Sequence, residues 1–361
     1  MTSVCPPSEE ATMQSRDSCC CASIGTKPIQ TDAGLNAKEM CGDLWCRFSN
    51  SFRMKYTVAP GLYKIGNPTS TDPVLLSANY RLSFNALRKE LKGLDLWIMV
   101  LNTKGINVWC AAGKGTFGTT EIITRIKTTK LSEYVSHKKI IAPQLGAPGV
   151  KAHEVKKATG YRIYYGPVYA KDIPAYLNNG KKAAPNMRRV RFPAADRAIL
   201  TPMELNMALR KAWAPLLIVL ALFGLTPGGI LFKPALRQGG PIVLAALGGV
   251  LTGTVVTPIA LPLIPGRSFA WKGFLSGAVL AAALLYVEPA DVFSSIWIQI
   301  LVAVGVPALS SYLAFNFTGC TTFTSVAGVK KELKVAIPLY IVASAVALAM
   351  LGVHTVSRLI A

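Results

Sequence analysis

Residues 94–118, LDLWIMVLNTKGINVWCAAGKGTFG, contain the segment that decides the fold. Leu94–Leu101 is a nearly continuous apolar run bounded by Gly93 and Asn102. A short run of this kind is typical of a strand that is buried on both faces of a parallel sheet. A cysteine, with three glycines after it, follows this run at the strand end where such sheets bind ligands. The stretch therefore predicts a layered α/β domain with a ligand site after this strand.

The flanking sequence extends this pattern in both directions. Segments typical of strands alternate with segments typical of helices, which predicts a Rossmann-like domain with a mainly parallel sheet. The predicted strands are Val74–Tyr80, Leu94–Leu101, Lys139–Ala142 and Tyr161–Val168. The predicted helices are Phe84–Leu91, Thr119–Lys130, Val150–Ala158 and Ile173–Asn178.

Five apolar stretches follow in the last 150 residues. They are Ala212–Phe232, Pro241–Ile264, Phe269–Val287, Val292–Phe315 and Val335–Val356. Each has about the 20 residues needed to cross a bilayer. The 361-residue chain is 51% hydrophobic and only 16% charged, which excludes a disordered protein and disfavours a fully soluble one. We expect an all-α transmembrane domain of five helices.

The charge distribution gives this domain an orientation. The net charge is +21, and residues 1–211 hold 31 of the 39 Lys and Arg. With a cytoplasmic amino terminus, the inner flanks of the spans carry Arg210, Lys211, Arg267, Lys272, Lys330, Lys331 and Lys334, against Lys233, Arg237 and Arg358 outside. This excess favours a multi-pass protein of the cytoplasmic membrane, with the α/β domain inside and the carboxyl terminus outside.

The same charge also bears on partners. Lipid of the inner leaflet explains a basic cytoplasmic surface. The aromatic motif of an RNA-binding sheet is absent from the sequence, so nucleic acid is not an expected partner. The predicted spans carry no Asp, Glu, Lys or Arg deep within them. Pumps and ion-coupled carriers usually place such groups mid-membrane, so we expect an anchor or docking platform.

These patterns divide the chain into four regions. Residues 1–50 form a flexible, cysteine-containing tail, and residues 51–182 form the α/β domain. Residues 183–211 form a basic connector and a helix that begins with a capping box, and residues 212–361 form the five-helix domain. In the tail, Cys19–Cys21 are either a soft-metal ligand group or ordinary reduced thiols.

The glycines after the apolar run admit several interpretations. Gly113, Gly115 and Gly118 fit the G-x-G-x-x-G pattern of dinucleotide-binding loops, but the acidic residue expected after the next strand is missing. The glycines either permit a tight turn with close helix packing or allow close approach of a large planar ligand. Cys110 is either a small buried thiol or, near a helix start and Lys114, a thiolate.

The stretch Asn107–Lys114 resembles the cap-helix signature of the mercury-methylating corrinoid proteins, the HgcA family. The similarity continues through Gln144–Gly149, His153–Lys157, Tyr165–Val168 and Asp172–Ala175. These segments also resemble the large subunit of the corrinoid iron–sulfur protein of the acetyl-CoA pathway. Two features favour the first family: the cysteine at position 110 and the apolar carboxyl-terminal half. The cysteines near the amino terminus do not have the C-x₂-C-x₂-C spacing of a cluster-binding run.

The resemblance implies a corrinoid-dependent methyltransferase. Its cofactor is cobalamin or a related corrinoid, and the Cys110 thiolate is the lower axial ligand of cobalt. The methyl group passes from methyl-Co(III) to Hg(II), which gives methylmercury. The implied partners are a ferredoxin-like protein with two 4Fe-4S clusters, which supplies electrons, and a methyl donor system linked to methyltetrahydrofolate.

The resemblance also implies which residues hold the corrinoid. From the cap segment they are Asn107, Val108, Trp109, Cys110, Ala111, Gly113 and Lys114. From other strand ends they are Ser77, Ser83, Gly146, Ala147, Gly149 and Gly166, with Asn79 beside them. For this second group, ordinary turn and cap positions are an equal alternative. The segment Asn316–Ser325, which includes Cys320, is either an interfacial turn or a polar docking platform.

Two other functions fit the sequence. One is a corrinoid methyl carrier of one-carbon metabolism, as in the acetyl-CoA pathway, that is anchored to the membrane. The other is a membrane protein that binds or transports soft metals through its cysteines. Corrinoid binding separates the first of these from the second, and the identity of the methylated product separates it from mercury methylation.

Overall fold

The computed structural model describes residues 27–360 except 288–292, 294, 322 and 323, and it divides into two compact units. The α/β unit comprises Thr57–Asn178 together with the described residues up to Gly34, which are separated from Thr57 in the sequence by residues 35–56. The helical unit comprises Leu35–Tyr56, which holds helices α1 (Ala37–Trp45) and α2 (Asn50–Lys55), and the residues from Asn179 onward. The helical unit thus contains residues that lie before and after Thr57–Asn178 in the sequence.

A six-stranded mixed sheet forms the centre of the α/β unit. Its strands are β1 (Ile29–Gln30), β2 (Gly61–Ile65), β3 (Val74–Ala78), β4 (Leu96–Leu101), β5 (Lys139–Ala142) and β6 (Arg162–Tyr165). Their order across the sheet is β1-β2-β4-β3-β5-β6. Strands β4, β3, β5 and β6 are parallel, whereas β2 is antiparallel to β4. The predicted parallel sheet is confirmed, and its strand order reverses at β3.

Helices follow the parallel strands. They are α3 (Arg81–Arg88), α4 (Val108–Gly113), α5 (Thr119–Thr128), α6 (Ala152–Thr159) and α7 (Ile173–Asn178). All six residues of β4 are buried, as the apolar run predicts for a strand covered on both faces. Met99 and Leu101 on this strand share one core with Phe117 and with Ile122 of α5. This core fixes the segment between β4 and α5, which carries Cys110.

The sequence predicts a loose tail over residues 1–50, but the structure has β1 and α1 within residues 27–50. Asn36 and Glu39 form a capping box at the start of α1, with bonds of 2.9 and 3.1 Å. The short β1 and the brief apolar pattern of α1 gave too little periodicity to be recognised. The earlier residues, including Cys19–Cys21, lie outside the described part of the chain.

The boundaries of the α/β unit also differ from residues 51–182. Residues 51–56 group with the helical unit, and the α/β unit ends at Asn178. Strand β2 was missed as well. It pairs antiparallel with β4, and no helix separates it from β3, so strand–helix alternation does not reveal it.

The helical unit contains mostly long apolar helices. After α8 (Ala194–Ala198) come α9 (Thr201–Gly224), β7 (Leu225–Thr226), β8 (Gly229–Ile230), α10 (Phe232–Pro234), α11 (Gly240–Leu251), α12 (Thr257–Ala260), α13 (Phe269–Val287), α14 (Ile296–Asn316) and α15 (Val326–Ile360). Five continuous helical stretches of the described chain are long and apolar enough to cross a membrane. Their number agrees with the five stretches expected from the sequence.

The first of these stretches differs from its prediction. Ala212–Phe232 was expected as one span, but the helix ends at Gly224 and a two-stranded hairpin follows. The cause is a turn at Thr226–Gly229, where Gly229 has a φ of 117°. The helical domain is therefore not purely α. The predicted capping box is absent too, because the Thr201 hydroxyl bonds to the Ala198 carbonyl.

Small residues bring the apolar helices together. A Cβ added to Gly273 of α13 would lie 2.5 Å from the Cβ of Ala314 on α14. One added to Gly277 would lie 2.7 Å from Cα of Pro307. On α15, Glu332 accepts hydrogen bonds from the Ser268 hydroxyl and the Ala270 N–H. Apolar helices associate in lipid through such close contacts and polar links.

Candidate functional site

The carboxyl ends of the four parallel strands lie along one edge of the sheet. The register pairs Ala78 with Leu101 and Ala142 with Tyr165, so these strands end close together. Open α/β sheets bind ligands at this edge, where the strand order reverses. The residues predicted for the site follow these strand ends, except Ser77, which lies inside β3.

A buried polar cluster fixes the loop between β4 and α4. The side-chain oxygen of Asn79 accepts hydrogen bonds from the N–H groups of Thr103 and Gly105, both at 3.0 Å. The Thr103 hydroxyl lies 2.8 Å from the same oxygen and 2.7 Å from the carbonyl oxygen of Ile106. Asn79 was predicted as a ligand contact, and Thr103 was missed. Both side chains are buried, and they hold the loop that leads into α4.

Helix α4 carries Cys110 in its first turn. Asn107 is the N-cap, and its side-chain oxygen accepts a hydrogen bond of 2.9 Å from the N–H of Cys110. A cap of this kind stabilises a helix start by about 1 kcal/mol. The Cys110 thiol is not in a disulfide, and the residue is only partly buried. A partly exposed, free cysteine thus lies in the capped first turn of α4.

The two faces of α4 have different roles. Val108 packs against the core and Ala111 is fully buried in it. Trp109 is half-buried, like Cys110, whereas Gly113 and Lys114 are exposed. The predicted cap segment therefore divides into residues that anchor the helix and residues that a ligand can reach.

Two glycines of the loop after β5, Gly146 and Gly149, pack closely against the end of α4 and the segment after it. They lie in a 3₁₀ helix, Gln144–Gly149, which packs against the segment that follows α4. A Cβ on Gly149 would lie 2.2 Å from the carbonyl oxygen of Phe117, and one on Gly146 would lie 2.5 Å from its ring. These two glycines are therefore required for close packing.

The other predicted glycines differ from this pair. A Cβ added to Gly113 or Gly115 would have no atom of another described residue within 4 Å, apart from its chain neighbours and its own helix backbone. Gly115 has a φ of 78°, so the tight turn, the first alternative, accounts for it, whereas approach of a planar ligand stays a prediction for Gly113. Gly166 is buried, and its Cβ would lie 3.0 Å from Cγ2 of Ile141. The dinucleotide interpretation is wrong, because Gly113–Gly118 follows helix α4 and not a strand.

Three further predicted residues contribute less to this surface. Ser77 is buried in β3, with its hydroxyl 3.3 Å from the carbonyl oxygen of Ala78. Ser83 lies half-buried in α3, and Ala147 lies half-buried in the 3₁₀ helix. Of the three, only Ala147 belongs to an element that packs beside α4.

Tyr165, part of the segment 165–168 that was predicted as a secondary ligand contact, links the end of β6 to this region. Its hydroxyl donates a 2.9 Å hydrogen bond to the carbonyl oxygen of Val150, the residue after the 3₁₀ helix. Burial raises the pKa of the Tyr165 phenol above its ordinary value of 10.0. The phenol is therefore protonated at neutral pH, as this hydrogen bond requires.

The donor set at α4 is a single sulfur. Within the described residues, no three His, Cys, Asp or Glu side chains come together to hold a metal ion. In the α/β unit, His137 lies before β5, where its Nε2 contacts the Asp72 carbonyl oxygen at 2.9 Å, and His153 is largely exposed. Cys320, in the helical unit, donates through its thiol to Glu204 at 3.0 Å.

Comparison with known proteins identifies relatives of the α/β unit. The sequence profile of the family described as CO dehydrogenase/acetyl-CoA synthase delta subunit matches residues 51–177. The acetyl-CoA decarbonylase/synthase complex subunit gamma of Archaeoglobus fulgidus is 31% identical over 127 residues. The gamma subunit of Methanothermobacter thermautotrophicus is 32% identical over 128 residues, and that of Methanopyrus kandleri is 29% identical over 122.

These matches cover part of each protein. The aligned region is 35% of this chain and 27% of the Archaeoglobus subunit, and the values for the other two are 33–35% and 26–28%. The chain thus spans about a quarter of the length of its curated relatives. The match includes β2 through most of α7 and so contains α4 and the 3₁₀ helix. The long helices lie outside it.

Proposed function

We propose that this chain is a membrane-anchored, corrinoid-dependent methyltransferase whose Cys110 sulfur is the lower axial ligand of cobalt. The observation that carries the proposal is the partly exposed thiol in the first turn of α4, at the carboxyl edge of the sheet. The family of the matched profile binds a corrinoid cofactor. The resemblance of Asn107–Lys114 to mercury-methylating proteins makes Hg(II) the proposed methyl acceptor.

The residues of the site fit a corrinoid. A thiolate is a soft, strongly donating ligand, and the described part of the α/β unit places no His beside it at α4. Gly113 and Gly115 leave open space next to the thiol, where a side chain would obstruct a large planar ring. Trp109 is half-buried and Lys114 is exposed, so both side chains are accessible to a ligand at α4.

Each element of the site has a definable task in this function. When bound, the corrinoid supplies the cobalt that carries the methyl group, whereas the protein supplies ligand, orientation and access. The Cys110 thiolate would hold the cobalt as a soft, electron-donating ligand, and a donor of this kind would favour transfer of the methyl group to a soft electrophile. Asn107 fixes the helix turn that carries the thiol, and Asn79 fixes the loop before it. Gly149 lets the 3₁₀ helix hold α4 from the side.

The proposal includes a location and partners. The five apolar helices support an anchor in the cytoplasmic membrane, with the α/β unit inside and the carboxyl terminus outside. Reduction of the cofactor requires an electron donor, for which we propose a ferredoxin-like protein with two 4Fe-4S clusters. The methyl groups come from a system linked to methyltetrahydrofolate, and Hg(II) enters as the second substrate.

A second candidate is supported by the comparisons. The relatives are named as subunits of the acetyl-CoA decarbonylase/synthase complex. This favours a corrinoid methyl carrier of one-carbon metabolism more directly than it favours mercury methylation. Both functions use the same site, and they differ in the methyl acceptor.

An anoxic assay distinguishes them. Membranes with this protein, the ferredoxin-like partner, a methylated corrinoid and Hg(II) are expected to form methylmercury. Cys110→Ala should lower the rate by at least about 100-fold, because it removes a direct metal ligand. Cys41→Ala is the matched control, since Cys41 is an exposed thiol outside the α/β unit.

The other outcomes have separate meanings. The second candidate would be established by a protein that binds a corrinoid, forms no methylmercury and passes its methyl group to an acceptor of one-carbon metabolism. Full methylation by Cys110→Ala would refute the ligand role of the thiol. Membranes that bind no corrinoid would exclude both functions and leave a soft-metal protein as the remaining account.

A further inference from the structure

An apolar surface lies on the α1–α2 segment, residues 35–56. The side chains that form it are Met40, Leu44, Trp45, Phe48 and Met54, and they are 60%, 59%, 59%, 41% and 52% exposed. The first four recur at intervals of four, one and three residues, which places them on one side of α1 and its continuation. Exposed apolar clusters of this kind mark interaction surfaces, whereas isolated apolar residues do not.

The segment has a defined fold, so this exposure does not come from a loose chain. Gly42 is buried against Tyr56, whose hydroxyl donates a 3.1 Å hydrogen bond to the carbonyl oxygen of Glu39. Cys46 is also buried, and Ser49 caps α2. The segment therefore packs through one side and leaves its large apolar side chains on the other.

A contact with α9 shows which part of that helix the α1–α2 segment lies beside. The side-chain amide of Asn206 donates to the carbonyl oxygen of Phe48. Asn206 is seven residues before Trp213, about 10 Å along the helix axis. Arg210 and Lys211 lie between them, at the basic flank where α9 becomes apolar. Phe48 is thus held where this helix would enter a bilayer.

The composition of the segment fits the surface of an anionic membrane. Lys38, Arg47, Arg53 and Lys55 outnumber the acidic side chains Glu39 and Asp43. Glu39 also accepts from the N–H of Asn36 in the capping box. Tryptophan prefers the membrane interface, and basic side chains extend toward lipid headgroups from there.

We propose that the α1–α2 segment is an interfacial membrane anchor that inserts its apolar side into the leaflet beside the basic flank of α9. Such helices lie in the membrane plane, with their apolar side at the boundary of headgroups and acyl chains. A hydrogen bond from Asn206 of α9 to the Phe48 carbonyl oxygen links the segment to this helix. The proposal rests on the membrane location of the long helices, and its occupant is lipid.

Tryptophan quenching by lipid tests the proposal in the full chain. The protein is reconstituted into phosphatidylcholine vesicles that contain phosphatidylglycerol, with lipids brominated in the upper acyl chain. The difference between wild type and Trp45→Phe isolates the emission of Trp45. We expect brominated lipid to quench this component by about half, as for a ring at the headgroup–acyl boundary, and iodide to leave it unchanged. Trp97→Phe is the control, because Trp97 is buried in the sheet.

Each alternative result overturns the proposal. Quenching of Trp45 by iodide alone would place this side in water. Protection from both quenchers would mean that protein covers it, from a partner or a second copy. Trp213 and Trp271 flank the apolar helices and report insertion separately. If no emission responds to brominated lipid, the membrane location itself fails, and this outcome is distinct from failure at Trp45 alone.

Discussion

Close backbone approach serves different ends in the two units. In the α/β unit, Gly146 and Gly149 bring the 3₁₀ helix against the segment after α4, while Gly113 faces open space. In the helical unit, Gly273 and Gly277 bring α13 against α14. The first contact positions the helix that carries Cys110, and the second joins two apolar helices. Substitutions at the two sets should therefore separate stability from ligand binding.

The largest effect is expected at the helix–helix contact. In Gly273→Leu, the new side chain begins 2.5 Å from the Cβ of Ala314 and 2.7 Å from the Ser310 carbonyl oxygen. Overpacking of this degree should cost about 3 kcal/mol. Gly352→Leu is the control, since a Cβ there meets nothing within 4 Å. Thermal unfolding in detergent measures both, and equal melting temperatures would show that this contact does not hold the helices.

The next prediction compares two glycines of the candidate site. Gly149→Ala should destabilise the α/β unit by about 1–3 kcal/mol, because the Cβ meets the backbone at Phe117. Gly113→Ala should leave stability unchanged or slightly higher, since alanine favours a helix. If a corrinoid covers Gly113, this second variant should still bind it more weakly. Titration of the stable variant with corrinoid provides the check, and unaltered affinity would remove Gly113 from the ligand surface.

A smaller effect is expected at the N-cap of α4. Asn107→Ala removes the acceptor for the Cys110 N–H and should cost about 1 kcal/mol. The helix start should then open more often, so that the Cys110 thiol is alkylated faster. Asn107→Asp keeps an acceptor oxygen and should restore the slower rate. Equal alkylation rates in all three proteins would argue against the cap.

The smallest effect concerns pH. The folded protein holds the Tyr165 proton more tightly than the unfolded chain does, because burial raises the pKa of this phenol above 10.0. This contribution to stability is complete below about pH 10 and is lost as pH rises through the folded pKa. Melting temperatures across this range should fall less steeply in Tyr165→Phe. Burial also raises the pKa values of Tyr161 and Tyr63. The melting temperature of Tyr165→Phe should therefore still decrease with pH, by a smaller amount than that of the wild type.

Sequence periodicity predicts most of the α/β unit because its elements are local and regular. The bounds of β5 and α7 agree with their predictions to the residue, and β4 is buried as its composition requires. Strand β2 was missed because it is defined by its pairing with β4, about 35 residues away, and such a pairing gives no local pattern in the sequence. The end of α9 was missed because an apolar stretch continues through the turn that terminates the helix.

The site shows the same division. The sequence by itself determined the strand–helix alternation, the five apolar helices and the segment with Cys110, since each depends on composition or on neighbouring residues. Only the tertiary structure decided which glycines pack and which face open space, because that depends on atoms such as the Phe117 carbonyl oxygen. It likewise gave Asn79 its role, through hydrogen bonds to a loop 24–26 residues away. Contacts between distant segments leave no period in the sequence.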